Sequence, residues 1–81
     1  MTKQERLIIR GLIAEKKQRL SELEIKMEGY AITVRDSLPT YMDVKAYNVQ
    51  RVLECAQCLE RDRREYDQLE AELQKLQEEL G

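Results

Sequence analysis

Residues 36–40, Asp36-Ser37-Leu38-Pro39-Thr40, interrupt an otherwise helix-favouring sequence near its middle. Pro39 is the only proline among the 81 residues, and a proline disfavours helical geometry at the residue before it. Ser37 and Thr40 are residue types that cap helix ends. Leu, Glu, Lys, Gln and Arg, which favour helices, dominate on both sides of this break. The chain is therefore expected to fold back on itself at this point.

Both halves repeat their apolar residues every seven positions, the spacing of a coiled-coil seam. In the first half the seam residues are Ile9, Ile13, Leu20, Leu23, Met27, Tyr30 and Val34. In the second half they are Val52, Cys55, Leu59, Tyr66, Leu69, Leu73, Leu76 and Leu80. The sequence predicts an all-α fold, an antiparallel two-helix coiled-coil hairpin. Its helices are expected over about 2–36 and about 40–80, with a turn over about 37–40.

One charged residue interrupts each seam, Lys16 in the first half and Asp62 in the second. If the chain folds so that paired residue numbers sum to about 78 or 79, the apolar rows align and Lys16 lies opposite Asp62. A lone charge within a seam is costly. We therefore interpret Lys16 and Asp62 as a register pair, which sets the alignment of the two helices.

The distribution of charge supports an antiparallel hairpin. Residues 1–19 contain six basic and two acidic residues, a net of +4, whereas residues 60–79 contain four basic and eight acidic residues, a net of −4. Folding the chain back lays these two segments side by side. Ion pairs are then expected across the helices between Arg10 and Glu70 and between Arg19 and Glu65.

A second apolar stripe lies beside the seam of the second half, and it is spaced by four, three, four and three residues. It consists of Met42, Ala46, Val49, Leu53 and Ala56. One interpretation is a homodimer interface through which two hairpins form a four-helix bundle. The other is a stutter in the heptad pattern, which would turn the stripe inward. The dimer interface is our prediction, and the inward stripe stays open as the alternative.

Cys55 and Cys58 form a CxxC pair, and two such pairs from two chains could supply the four thiolates of a structural zinc site. The pair resembles the zinc hook of coiled-coil DNA-repair ATPases, and this resemblance implies a zinc-bridged assembly protein. In that family the motif lies at the apex of a hairpin, whereas here it lies within the second helix. Buried free cysteine also packs as a small apolar residue. We therefore expect no bound metal and keep both cysteines as candidate ligands.

Six basic residues are expected to meet midway along the hairpin: Lys16, Lys17, Arg19, Arg61, Arg63 and Arg64. A nucleic-acid-associated accessory protein would use such a basic belt to contact phosphates. Acidic residues are interleaved with these cations and the net charge of the chain is −2, so an ion-paired, solvated face is favoured. Nucleic acid is therefore kept as an alternative partner only.

The composition argues against most catalytic chemistry. Histidine is absent, which excludes an imidazole base and the Ser-His and Cys-His pairs. The three glycines stand alone, so no phosphate-binding loop is present. We predict a non-enzymatic, self-associating interaction or scaffolding module that uses no cofactor.

The expected location is the cytoplasm. The two closely spaced cysteines are typical of a reducing compartment, because disulfide frameworks usually space their cysteines more widely. No run approaches the roughly 20 apolar residues that a membrane span requires. The predicted partners are a second copy of the chain or another protein.

Overall fold

Two long helices make up most of the protein in a computed structural model that describes residues 1–81. Helix α1 spans Lys3–Asp36 and helix α2 spans Val49–Leu80. A connector, residues 37–48, joins them and contains a short 3₁₀ helix at Val44–Ala46. The helices pack against each other as an antiparallel hairpin measuring 63 × 15 × 14 Å. The prediction of an all-helical hairpin is confirmed.

The start of each helix is fixed by its capping residue. The Thr2 hydroxyl accepts a hydrogen bond from the Glu5 backbone N–H at 3.1 Å, and the Glu5 carboxylate accepts one from the Thr2 N–H at 3.4 Å. At α2, the Asn48 side-chain oxygen accepts from the Arg51 N–H at 3.1 Å. These bonds satisfy N–H groups that have no partner within the helix.

The second helix begins at Val49, so the prediction of a start near Thr40 is wrong. The residues before Val49 make local bonds that compete with a helix. The Asp43 carboxylate accepts from the Lys45 N–H at 3.0 Å, and the Tyr47 hydroxyl donates to the Pro39 carbonyl at 2.7 Å. The predicted four-residue turn is therefore a connector of twelve residues.

The predicted seam residues of both helices are all buried or half-buried. Only Leu20 and Leu23 lose nearly all solvent contact, with 9% and 0% of their surface exposed. Each helix has a single neighbour, so one side of most seam residues still meets water. The apolar core is therefore narrow, and its most buried part lies near the middle of α1.

The register of the hairpin differs from the prediction. Three contacts across the helices join Lys16 with Glu72, Arg19 with Glu65, and Glu24 with Tyr66. Their residue numbers sum to between 84 and 90, not to 78 or 79. Because α2 starts nine residues later than predicted, Lys16 and Glu24 meet partners further along α2 than predicted. The longer connector therefore accounts for the shift.

Neither helix contains a segment both long and apolar enough to cross a membrane.

Candidate interaction surface

Two ion pairs cross from α1 to α2, one at the middle of the hairpin and one nearer its open end. Arg19 donates from Nε to Glu65 at 2.7 Å and from a second nitrogen at 3.2 Å, which confirms one of the expected pairs. Lys16 Nζ donates to Glu72 at 2.8 Å. The hydrogen bond from Arg19 lowers the pKa of Glu65, and the hydrogen bond from Lys16 lowers the pKa of Glu72. These pairs join the two helices across the edge of the seam.

Tyr66 adds a third polar contact across the helices. Its hydroxyl donates to the Glu24 carboxylate at 2.7 Å, and this hydrogen bond raises the pKa of Tyr66. The Arg63 guanidinium lies 5.8 Å from the centre of the same ring, within the range of a cation–π contact. Tyr66 thus keeps its ring in the seam and its hydroxyl at the edge, as an amphipathic side chain does.

The predicted register pair does not form. Lys16 contacts Glu72, which lies ten residues beyond Asp62 on α2, or about 15 Å along the helix axis. The Asp62 side chain is only 5% exposed, and its Oδ1 accepts from the Nε of neighbouring Arg61 at 3.3 Å. Asp62 Oδ2 is buried and has no hydrogen-bond partner. The shifted register carries Lys16 away from Asp62.

The five residues of the second stripe are all exposed. Met42 and Ala46 lie in the connector, so only Val49, Leu53 and Ala56 share a helix. Val49 is 66% exposed and Leu53 is 49% exposed. The alternative in which a stutter turns the stripe inward is therefore wrong, and the dimer interface stays a prediction.

The connector adds apolar side chains that the heptad analysis missed. Tyr41 is 88% exposed and Val44 is 70% exposed. We define the closed-end patch as the exposed large apolar residues of the connector and the first turns of α2: Leu38, Tyr41, Met42, Val44, Val49 and Leu53. The repeat could not reveal Leu38 or Val44, because they follow no helical period. Their closeness to Pro39 was the one sign in the sequence that they lie outside the two long helices.

The open end of the hairpin is also apolar. Its exposed large residues are Met1, Leu7, Ile8 and Leu12. A shallow groove of about 310 Å³ begins beside Leu12, and its walls include the ion-paired Lys16 and Glu72. Both ends of the rod thus present uncovered apolar groups.

Most of the six basic residues of the predicted belt are paired with carboxylates. Five of them form ion pairs within the chain, Lys16, Arg19, Arg61, Arg63 and Arg64, while Lys17 forms none. Glu65, which pairs with Arg19, directly follows Arg64 in the sequence, so carboxylates are interleaved with these cations. A phosphate backbone would have to displace these carboxylates.

Cys55 and Cys58 are both free and half-buried on α2. No group of three or more His, Cys, Asp or Glu side chains in the chain is placed to hold a metal ion. A zinc site at these cysteines would therefore need thiolates from a second chain.

Comparisons of this chain with protein-family models, with curated proteins and with solved structures found no match.

Proposed function

We propose that this protein is a non-enzymatic helical hairpin that self-associates and serves as an interaction or scaffolding module. The observation that carries the proposal is the balance of apolar surface. Two apolar side chains are buried, whereas twelve large apolar side chains remain 40% or more exposed. Small chains usually need further packing, metal or disulfides to be stable, and clustered exposed apolar groups mark contact surfaces.

The closed-end patch is the proposed contact surface on α2 and the connector. Val49 and Leu53 lie one helical turn apart on a rigid element, and Met42 belongs to the adjoining connector. In a two-fold dimer the same patch occurs on both chains and each copy covers the other. Packing two hairpins in this way would also join their two narrow cores into the core of a four-helix bundle.

The double substitution V49E/L53E tests this surface. Two glutamates on each chain would bring like charges together across a two-fold contact. We expect the weight-average mass in sedimentation equilibrium to fall at equal concentration, while the helical circular dichroism signal is kept. The matched control is Q57E/Q77E, which adds the same charge at exposed positions of α2 outside the closed-end patch.

An unchanged mass for V49E/L53E would refute the closed-end patch as a self-association surface. Loss of helicity in this variant alone would mean that Val49 and Leu53 support the fold instead. Adding a chelator in the same experiment tests the zinc-bridged alternative, because association through Cys55 and Cys58 would then weaken.

A further inference from the structure

Helix α1 carries an uncharged line of residues on the side that faces away from α2. Residues three, four or seven apart share a helix face, and this spacing runs from Leu7 to Ile32. We define the outer stripe by its large and small apolar residues on this line: Leu7, Gly11, Ala14, Ile25, Gly29 and Ile32. Gln18 and Ser21 fill its middle. All eight are exposed, and Ile25 is 71% exposed.

The outer stripe is unusual for a face that meets water. Nine of the 26 residues from Leu7 to Ile32 are charged, and none of the nine lies on the outer stripe. The solvent side of a surface helix normally carries such residues. Ser21 already donates its hydroxyl to the Lys17 carbonyl at 3.2 Å, so covering this side chain leaves no hydroxyl donor without a partner.

We propose that the outer stripe binds the outer stripe of a second copy of this chain, with the two α1 helices antiparallel. The proposal rests on the self-association proposed above and gives it a second, longer contact surface. Residues whose numbers sum to about 39 then face each other. Leu7 meets Ile32 of the second copy, where two large side chains pack together, and Ala14 meets Ile25, where a large side chain lies against a small one.

Beside the outer stripe, the same alignment brings three pairs of opposite charges together. Arg10 comes beside Glu28 of the second copy, Lys17 beside Glu24, and Glu15 beside Lys26. None of these six residues forms an ion pair within its own chain. The two-fold axis repeats each pair. Three like-charged encounters accompany these pairs: Lys3 beside Arg35, Arg6 beside Arg35, and Glu15 beside Glu22. The first two lie at the margin of the contact.

The size of the contact approaches that of a specific dimer. The 26 residues from Leu7 to Ile32 span about 38 Å along a helix about 10 Å wide. Two such faces cover about 760 Å² before the relief of the side chains is counted, against the roughly 1,000 Å² in total that a specific interface needs. The antiparallel arrangement also brings the open end of one copy beside the closed end of the other, with Leu38 near the partner's Met1.

Disulfide formation between two different single-cysteine chains tests the arrangement. Both chains carry C55S and C58S, one with A14C and the other with I25C. These two positions face each other in the proposed dimer. Each position lies about 16 Å along the helix axis from the same position in the second copy. We expect oxidation of the mixture to give the mixed disulfide faster than either homodisulfide. The control mixture pairs A14C with Q57C, which lies on α2.

A charge on the outer stripe provides the second measurement. I25R should weaken association at least tenfold in Kd while helicity is kept, because the guanidinium would have to be buried against apolar groups. The control Q57R places the same charge on the exposed face of α2. Adding V49E/L53E to I25R should leave a folded monomer, since the outer stripe and the closed-end patch lie on different helices.

The outcomes separate this proposal from the proposed function. If the wild-type chain associates but the A14C and I25C mixture cross-links no faster than its control, the outer-stripe dimer is overturned and self-association stands. Preferential A14C homodisulfides would mean parallel helices and would also overturn it. If the wild-type chain neither associates nor cross-links, both proposals fall.

Discussion

At the scale of single residues, Asp62 is the clearest conflict between sequence and packing. It occupies a seam position on α2, and its Oδ2 is buried without a hydrogen-bond partner. A buried polar atom in this state costs stability. The sequence identified Asp62 as an interruption of the seam. It did not predict which groups surround the Asp62 carboxylate. Its expected partner, Lys16, could be assigned only from the register, which depends on a connector whose length the heptads do not encode.

Replacing Asp62 should stabilise the hairpin. D62L removes the unsatisfied carboxylate and restores an apolar seam residue, so we expect the free energy of unfolding to rise by about 1–3 kcal/mol. Urea denaturation followed by circular dichroism measures the change. D67N serves as the control, because Asp67 is exposed and pairs with Arg63 on the same helix. A D62L variant no more stable than wild type would show that burial of this carboxylate is not costly.

At the scale of helices, periodicity predicted which faces meet but not where α2 begins. The seam residues of both halves are all buried or half-buried, and α1 ends at Asp36 as expected. The error lies in residues 40–48, where Asp43 and Tyr47 form local hydrogen bonds. Lys45 and Asn48 would occupy seam positions if the heptads continued, and both are poor core residues. This mismatch was the available sign that the helix starts later.

The ion pairs between the helices make stability depend on pH. Glu65 has a lower pKa in the folded chain because Arg19 donates a hydrogen bond to it. A carboxyl of this kind stabilises the fold above its unfolded pKa, and that stabilisation is lost as the pH falls through the folded pKa. The ordinary pKa of glutamate is about 4.3, so the loss is expected below that pH.

E65Q tests this dependence. The variant should have a lower Tm than wild type at pH 7, and its Tm should fall less between pH 7 and pH 3. E60Q makes the same chemical change but removes an ion pair with Arg64 within α2, so its Tm should follow the pH dependence of wild type. Thermal melts by circular dichroism across this range give the comparison. Parallel curves for E65Q and wild type would contradict the role given to the Arg19–Glu65 pair.

At the scale of the whole molecule, the hairpin is a rod with twelve exposed large apolar side chains and two buried ones. Exposed apolar residues occupy the closed end, the open end and the outward side of α1. Heptad spacing predicted one uncovered stripe, that of Met42, Ala46, Val49, Leu53 and Ala56. The same spacing puts Ile25 off the seam of the first half, so its outward position follows from the sequence. Val44 follows no helical period, so its exposure depends on how the connector folds. A second copy of the chain could cover these surfaces.

Sedimentation equilibrium of the wild-type chain, from micromolar to millimolar concentration, tests the central claim of self-association most directly. One chain has a mass of 9.6 kDa. We predict a weight-average mass that rises with concentration to that of the dimer or above, with high helicity throughout. A fully helical species that stays at 9.6 kDa over the whole range would contradict the account, since the hairpin would then be stable with its apolar surfaces in water.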